Sequence, residues 1–273
     1  MNYSWYNGKI DLTENTRINT DDLGFLRGYG LFDYFRTYNG KPFQWDWYWE
    51  RFNNSAKLLR IPLSLKKREA EVILKELFAL SKLDEVAFRF LLTGGNAPDS
   101  STMTAPNLLV RAENVPVLSS ELFERGISII TENYTRDIPE IKSTDYKRLL
   151  SLQTVLQEKE AKDVLYHTKG QLTEMSRSNI FLVKNGIIKT PKKGILKGIT
   201  RRTVLELAKP DFEVLETNIQ LEEIFEADEV FTTSTNKKVM SIIKIDDIMI
   251  GGGLTGEVSK ILLSRFNALA GSW

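Results

Sequence analysis

Three Asn-Gly pairs constrain the kind of fold that this chain can form. Asn7-Gly8, Asn39-Gly40 and Asn185-Gly186 each lie between apolar or aromatic residues. Asn and Gly tolerate the positive φ angles of a two-residue hairpin turn, so the first two pairs predict β-hairpins. The third pair, Asn185-Gly186, predicts that the chain turns back after a strand.

Helical patterns are interspersed with these strands. Asp46 can cap a helix whose apolar face repeats at three- and four-residue spacing, at Trp49, Phe52, Ala56 and Leu59. Further helices are predicted over residues 64–80, 146–161, 200–208 and 258–268, and strands over 86–92, 107–111, 127–131, 164–167, 179–183 and 229–233. Because helices and strands do not alternate regularly, the pattern predicts an α/β fold of the α+β type rather than a doubly wound sheet.

A short segment near the middle of the chain is the best candidate for a linker. Residues 114–120 contain a proline and lack helical periodicity. We place the linker at 116–120, between an N-terminal domain over 1–115 and a larger C-terminal domain over 121–273. A chain of 273 residues is long enough to bury one large core or two smaller ones.

The charge balance argues against a polyanionic partner. Lys and Arg total 37 and Asp and Glu total 36, so the formal net charge is +1. No overall field exists to attract nucleic acid or an anionic membrane, and no run of apolar residues is long enough to span a bilayer. The N-terminal residues do not resemble a secretory signal. We therefore expect a cytoplasmic protein whose partner is a small molecule or a second copy of itself.

The shortage of histidine and cysteine excludes several kinds of catalytic site. The chain has no cysteine and one histidine, His167, within an apolar segment that is predicted to be a strand. Disulfides, thiolate zinc sites and cysteine nucleophiles are excluded, and we interpret His167 as structural rather than as part of a catalytic triad. No metal site is expected. Acid-base chemistry must then fall to Lys, Tyr, Asp or Glu.

Three segments have anion-binding character. Residues 196–201 run from Gly198 into a helix start, so the N–H groups of Ile199 and Thr200 can meet a phosphate. Residues 231–236 end a strand in small hydroxyl side chains, and Arg51 can grip a phosphate through two donors. Each segment also has an ordinary structural interpretation. Residues 196–201 can be a capped helix start, residues 231–236 a polar strand end, and Arg51 a solvated residue on a helix face.

A glycine-rich segment near the end of the chain does not predict a dinucleotide site. Residues 251–256 satisfy the pattern G-x-G-x-x-G, but no second strand and no acidic residue for a ribose follow them. We interpret this segment as a turn before the last helix.

Two lysines lie in an irregular stretch that leads into the helix predicted from residue 146. Asp145 is a natural cap for that helix, which places Lys147 in the first turn and Lys142 before it. The positive end of the helix dipole would favour the neutral amine of Lys147, which is the form that attacks a carbonyl. Further along, Glu174 lies in a polar turn between two predicted strands.

In this order and at this spacing, the segments resemble the class IV aminotransferases. These are fold-type-IV pyridoxal-phosphate enzymes, which include branched-chain aminotransferases, D-amino-acid aminotransferases and 4-amino-4-deoxychorismate lyase. The likeness covers nearly the whole chain, and its pieces are residues 28–33 with Arg36, Arg51, 147–161, 173–181, 195–201 and 231–235. The resemblance implies two domains with the active site between them, and a homodimer in which one subunit's small domain borders the other's site.

The resemblance also implies a lysine that forms a Schiff base with the cofactor and then moves a proton. Two alignments compete for it. Lys142 keeps a family-like distance to Glu174 but shifts the following helix out of register. Lys147 keeps the helix in register and shortens a surface connection, which a fold tolerates better. We therefore favour Lys147 and retain Lys142 as the alternative.

The other cofactor contacts follow from the same comparison. Glu174 resembles the acidic partner of the pyridine nitrogen, which makes the ring a better electron sink. Arg51, the amides of Ile199 and Thr200, and Thr235 resemble the phosphate site. Three positions depart from the family pattern: Met175 replaces a usual glycine, Tyr48 a common histidine, and Ser151 a tyrosine or asparagine near the cofactor's phenolic oxygen, a place that Tyr146 could take.

The sequence constrains the identity of the substrate less than that of the cofactor. Residues 91–96 lack the arginine by which D-amino-acid aminotransferases hold the substrate, and residues 236–238 lack the small residues and the acid typical of branched-chain enzymes. We expect transamination of branched-chain or other hydrophobic L-amino acids, with aminodeoxychorismate lyase or a non-catalytic ligand-binding relative as alternatives. The candidate substrate residues are Phe32, Tyr34, Arg36 and Asn236, together with Trp5.

Overall fold

The computed structural model describes residues 2–273, so Met1, the first residue of the expected N-terminal domain, lies outside the described residues. The chain forms two compact units. The first contains the residues up to Pro116, together with Ile141–Asp145 and Trp273; the second contains Val117–Glu140 and Tyr146–Ser272.

The first unit is built around a six-stranded antiparallel sheet in the order β2-β1-β6-β5-β3-β4. Its strands are β1 (Tyr3–Tyr6), β2 (Lys9–Leu12), β3 (Gly30–Tyr38), β4 (Lys41–Pro42), β5 (Val86–Asn96) and β6 (Ala105–Asn114). Its helices are α1 (Leu23–Arg27), α2 (Trp45–Leu58) and α3 (Lys67–Ser81).

Residues alternate along β3 between a buried and a half-buried face. Phe35 is fully buried, and its ring centroid lies 5.2 Å from that of Tyr48 on α2. Phe32, Tyr34 and Arg36 lie on the other face and stay half-buried. Helix α2 begins earlier than its sequence indicates: its N-cap is Gln44 rather than Asp46, because the chain turns through a positive φ angle of 50° at Gln44.

A segment from the second half of the chain completes this unit. The N–H of Phe32 donates to the carbonyl of Lys142 (2.8 Å), and the N–H of Thr144 donates to the carbonyl of Gly30 (3.1 Å). Ile141–Asp145 therefore extends the sheet beside the start of β3. The expected C-terminal domain, a contiguous segment over 121–273, therefore differs from the second unit, because Ile141–Asp145 belongs to the first. Sequence patterns do not show this pairing, since it consists of backbone hydrogen bonds between residues far apart in the chain.

The second unit contains a nine-stranded mixed sheet in the order β12-β11-β10-β13-β14-β7-β8-β9, with β15 paired to β14. Its strands are β7 (Ile127–Asn133), β8 (Asp163–Thr168), β9 (Gln171–Met175), β10 (Asn179–Lys184), β11 (Ile187–Pro191), β12 (Val214–Thr217), β13 (Glu229–Ser234), β14 (Lys238–Ile245) and β15 (Ile248–Met249). Its helices are α4 (Ser120–Arg125), α5 (Lys147–Ser151), α6 (Gln153–Glu158), α7 (Ile199–Ala208), α8 (Leu221–Phe225) and α9 (Glu257–Gly271).

All three Asn-Gly turns are confirmed. The φ angles are 45° and 97° at Asn7-Gly8, 50° and 71° at Asn39-Gly40, and 51° and 78° at Asn185-Gly186. Each pair closes a two-residue turn between paired antiparallel strands. The mixed α/β class is likewise confirmed, and Gly251–Gly253 forms a short 3-10 turn ahead of α9, as its interpretation as a turn requires.

The helix predicted over residues 146–161 is in fact two short helices, α5 and α6. The chain breaks at Leu152, whose φ and ψ angles are −96° and 3°, and the N-cap of α5 is Tyr146 rather than Asp145. Leu149 and Leu152 are both buried in one cluster with Ile130. Periodicity does not reveal the break, because the apolar stripe continues across it.

Neither a candidate membrane span nor a candidate metal cluster occurs within residues 2–273. No helix there has both the length and the apolar character that crossing a bilayer requires. Those residues also contain no group of three or more His, Asp or Glu side chains that could hold a metal ion.

The close approach of β5 and β6 predicts that Gly95 cannot be replaced. Its φ angle is +72°, and an added Cβ would lie 1.6 Å from the carbonyl oxygen of Ala105. We expect Gly95→Ala to lower the free energy of unfolding by roughly 3 kcal/mol or more, measured by urea denaturation.

Gly8→Ala is the matched control. Gly8 also has a positive φ angle, but nothing lies within 4 Å of an added Cβ. Its substitution should cost about 1 kcal/mol, from backbone strain alone. Equal losses for the two variants would contradict the steric explanation.

Candidate active site

Glu174 is a buried carboxylate near the end of β9, and only 5% of it is exposed. Its Oε1 atom accepts a hydrogen bond from Nε of Arg136 (2.8 Å), and its Oε2 atom accepts one from the backbone N–H of Leu196 (2.9 Å). The guanidinium of Arg136 also donates to the carbonyl of Pro139. The ion pair and the amide together hold the carboxylate in one orientation.

Hydrogen bonds join the turn after Glu174 to the end of β13. The N–H of Met175 donates to the carbonyl of Ser178 (2.9 Å), which closes the turn between β9 and β10. The hydroxyls of Ser178 and Thr232 lie 2.8 Å apart. Both side chains are buried, so this contact fixes the turn against the neighbouring strand.

The same turn is joined to the start of α7. Nδ2 of Asn179 donates to the carbonyl of Leu196 (2.8 Å). Gly198, two residues after Leu196, is the N-cap of α7. A Cβ atom added to Gly198 would lie 2.1 Å from Oδ1 of Asn179. Glycine is therefore required, because the backbone passes directly against the asparagine side chain.

The N-terminus of α7 is suited to an anion. Ile199 and Thr200 form its first turn, and the first N–H groups of a helix have no acceptor within the helix. The ten-residue helix also places the positive end of its dipole there. Both residues are buried, so an anion bound at their amides would be only weakly screened by water.

Thr235 and Asn236 lie in the short turn between β13 and β14. Ser234 pairs with Lys238 across this turn, and the N–H of Lys237 donates to the hydroxyl of Ser234 (3.3 Å). The Oδ1 atom of Asn236 is buried and has no hydrogen-bond partner within residues 2–273. A buried acceptor in this position suits a donor on a ligand.

Tyr146 is the N-cap residue of α5 and is half-buried. Burial raises the pKa of Tyr146, the charges of Arg136 and Arg177 act to lower it, and that of Glu174 adds to the rise. The neutral phenol is therefore the favoured form, and it can donate a hydrogen bond. Lys147, the next residue, begins α5 and is exposed.

In the first unit, the half-buried Arg51 packs against a buried acid. Its Nε donates to Oδ2 of Asp33 (2.9 Å) and its Nη2 donates to Oδ1 (2.6 Å), and the two side chains are only 11% and 2% exposed. The guanidinium also lies 5.1 Å from the ring centroid of Tyr48. The interpretation of Arg51 as a solvated helix residue is therefore wrong.

The half-buried face of β3 carries aromatic and cationic side chains. The guanidinium of Arg89 lies 5.1 Å from the ring of Tyr34, and that of Arg36 lies 4.3 Å from the ring of Tyr38. Arg89 is also paired with Glu113 through two hydrogen bonds of 2.8 and 3.1 Å. Phe32 and Tyr34 therefore share a face with two arginines, one of which is neutralised by an acid.

Trp5 does not share this face. Across the sheet, Trp5 is opposite Val110, Val110 is opposite Phe90, and Phe90 is opposite Asp33. Directly opposed residues point to the same side of a sheet. Trp5 therefore lies on the side of Asp33, opposite to Phe32 and Tyr34.

Lys142 has a different environment from Lys147. It is half-buried, and its ammonium lies 4.5 Å from the ring centroid of Phe32. The backbone bond from Phe32 to its carbonyl fixes the lysine beside β3.

The buried carboxylate and the helix N-terminus of the second unit suit an enzyme with an anionic cofactor, and comparison with known proteins identifies the family. The family described as amino-transferase class IV matches residues 30–245. The chain belongs to the class IV aminotransferases, enzymes that use pyridoxal phosphate. The family and the cofactor expected from the sequence are confirmed.

Three proteins illustrate the likeness. A Methanocaldococcus jannaschii protein provisionally named branched-chain-amino-acid aminotransferase is 31% identical, over 98% of this chain and 96% of its own. D-alanine aminotransferase of Staphylococcus haemolyticus is 28% identical, over 98% and 97%. The structure of the T.th. branched-chain amino acid aminotransferase with pyridoxamine 5'-phosphate has a TM-score of 0.91 at 25% identity, covering 99% of this chain and 94% of that one.

Sequence reasoning missed the basic partner of Glu174. Arg136 lies in a loop with no periodicity or motif, and it is separated from Glu174 by 38 positions. An unpaired carboxylate in the protein interior is strongly destabilising. Burial of Glu174 therefore implies a cation beside it, but the sequence does not indicate which residue supplies that cation.

The Arg136–Glu174 pair predicts a large effect of removing the guanidinium. Arg136→Met removes the guanidinium that pairs with a buried carboxylate, and we expect a loss of about 3 to 5 kcal/mol in the free energy of unfolding, measured by urea denaturation. Binding of pyridoxal phosphate should weaken as well, because the orientation of Glu174 is no longer fixed.

Arg148→Met is the matched control. Arg148 pairs with Glu132 in the same unit, but the two side chains are 40% and 20% exposed. Its loss should destabilise the protein far less than the loss of Arg136, because water screens an exposed ion pair. A similar small loss for Arg136→Met would show that Glu174 does not depend on its partner.

Proposed function

We propose that this enzyme transfers an amino group between an amino acid and a 2-oxo acid, with branched-chain or other hydrophobic L-amino acids as preferred substrates. Membership of the family supports the reaction class. The observation that carries the substrate preference is the half-buried face of β3, where Phe32 and Tyr34 offer aromatic surface to an apolar side chain. Arg36 on the same face is the proposed contact for a substrate carboxylate, and Asn236 is a further proposed substrate contact.

The residues of the second unit fit pyridoxal phosphate. We assign Glu174 to the pyridine nitrogen, because a buried carboxylate of fixed orientation stabilises a protonated ring nitrogen. The amides of Ile199 and Thr200 are assigned to the phosphate, together with the hydroxyl of Thr235. The bound cofactor supplies a conjugated ring that withdraws electrons from the substrate's Cα.

Two further residues are assigned by their environments. The phenol of Tyr146, whose pKa is raised by burial, suits a hydrogen bond to the phenolic oxygen of the cofactor. Arg51 is assigned to the phosphate, and its bidentate bond to Asp33 would hold the guanidinium plane in place for that contact.

The lysine assignment has two candidates, and their surroundings favour Lys142. A lysine that attacks a carbonyl must have its amine held in place within the fold rather than free in bulk water. Lys142 is half-buried beside Phe32, whereas Lys147 is exposed. The helix-dipole argument for Lys147 also weakens, because α5 has only five residues.

Spectra of two variants test the lysine assignment. With pyridoxal phosphate added, the wild-type protein should be yellow, and Lys142→Ala should lose the visible band while Lys147→Ala retains it. Borohydride reduction followed by peptide mapping should place the pyridoxyl group on the peptide that contains Lys142. Loss of the band only in Lys147→Ala would reverse the assignment, and a colourless wild-type protein would favour a non-catalytic relative.

Substrate assays test the reaction. With 2-oxoglutarate as acceptor, we expect glutamate to form from leucine, isoleucine and valine at least about tenfold faster than from D-alanine, because residues 91–96 lack an arginine for the D-substrate carboxylate. Release of pyruvate from aminodeoxychorismate without an amino acceptor would show that the enzyme is instead a lyase.

The homodimer and the cytoplasmic location implied by the resemblance and the composition remain predictions. Light scattering on the purified protein measures the first, and fractionation of the source cells measures the second.

A further inference from the structure

A buried carboxylate that has no assigned part in the chemistry lies at the start of β8. Asp163 is fully buried. Its Oδ1 atom accepts hydrogen bonds from the N–H of Val164 (2.9 Å) and from the hydroxyl of Ser176, and its Oδ2 atom accepts one from the ammonium of Lys237. Burial opposes ionisation of Asp163, but Lys237 and the nearby Arg177 outweigh it and hold its pKa below the usual range.

The partners of Asp163 come from two different turns. Ser176 follows Glu174 in the turn between β9 and β10, and Lys237 lies in the turn between β13 and β14 with Thr235 and Asn236. The side chain of Lys237 is only 17% exposed. A single carboxylate therefore ties the turn that follows Glu174 to the turn that carries Thr235 and Asn236.

The geometry makes this pair more than a surface ion pair. An ion pair at the surface is worth little, but a carboxylate with no exposed area depends on its cation. Lys237 is held at both ends: its backbone N–H donates to the hydroxyl of Ser234 within the turn, and its ammonium donates to Asp163. The ammonium thus anchors the turn to the start of β8.

We propose that Asp163 and Lys237 are a positioning pair, which sets where Thr235 and Asn236 lie relative to Glu174 and thereby the affinity for the phosphorylated cofactor. The inference rests on the proposed function, which assigns Glu174 and Thr235 to that cofactor. Neither Asp163 nor Lys237 contacts the ligand in this proposal. The pair acts by holding two turns at a fixed separation.

Pyridoxamine 5'-phosphate is the probe that isolates this effect. It cannot form a Schiff base with a lysine, so its dissociation constant reports the non-covalent contacts alone. We would measure that constant by calorimetry for the wild type, Lys237→Met, Asp163→Asn and the double variant, and record the melting temperature of each without ligand.

The three variants separate positioning from two simpler effects. If the pair positions the turns, all three variants should bind the probe about 10- to 100-fold more weakly than the wild type. A displaced hydrogen-bonding group contributes little to the binding free energy. If only the charge near the phosphate mattered, Lys237→Met would weaken binding, Asp163→Asn would strengthen it, and the double variant would match the wild type. If the pair served stability alone, the double variant would recover both melting temperature and affinity.

If the pair positions the turns, the melting temperature and the probe affinity of the double variant should respond differently. Its melting temperature should rise above that of Lys237→Met, because no buried charge is left unpaired, while its affinity stays low. Since it carries neither charge, it is the variant expected to fold even if a single variant does not, and its dissociation constant alone decides the question. Wild-type affinity in the double variant overturns the proposal.

Two controls complete the experiment. Lys237→Arg keeps a cation and should bind the probe within about threefold of the wild type, given the several donors of a guanidinium. Lys189→Met removes a lysine that is 28% exposed and paired with Glu223 in the same unit, and its affinity should not change. A wild-type protein that does not bind the probe would instead contradict the proposed function, and so the two failures are distinguishable.

Discussion

The pairing of Glu174 with Arg136 is the interaction on which the organisation of the second unit's site depends. A carboxylate with 5% exposure is stable only with a cation and hydrogen-bond donors beside it. Arg136 supplies the cation and Leu196 an amide. Because Leu196 leads directly into α7, the requirement to satisfy one buried acid also places a helix N-terminus close to it.

The same physical arrangement occurs three times. Asp33 with Arg51, Glu174 with Arg136, and Asp163 with Lys237 each join a carboxylate no more than 7% exposed to a base no more than 17% exposed. All three carboxylates belong to strands, whose backbone fixes one end of the pair. The bases come from a helix, a loop and a turn, so each pair ties a segment outside the sheet to one of its strands.

Local features of the chain were predictable, and long-range pairings were not. The three Asn-Gly turns follow from the φ preferences of two neighbouring residues, and the structure has them where the sequence places them. The break at Leu152 escaped prediction because the apolar stripe continues across it, with Leu149 and Leu152 buried in the same cluster. The pairing of Ile141–Asp145 with β3 escaped prediction because backbone hydrogen bonds carry no side-chain signature.

The sequence by itself determined the α/β class, the family, the cofactor and the short list of candidate residues, because these depend on residue types in a given order. The tertiary structure decided which acids are buried and which base neutralises each one. Those partners are 18, 38 and 74 positions apart in the chain. No local preference links residues so distant, and only the packing of strands, turns and loops into a folded core brings their charges together.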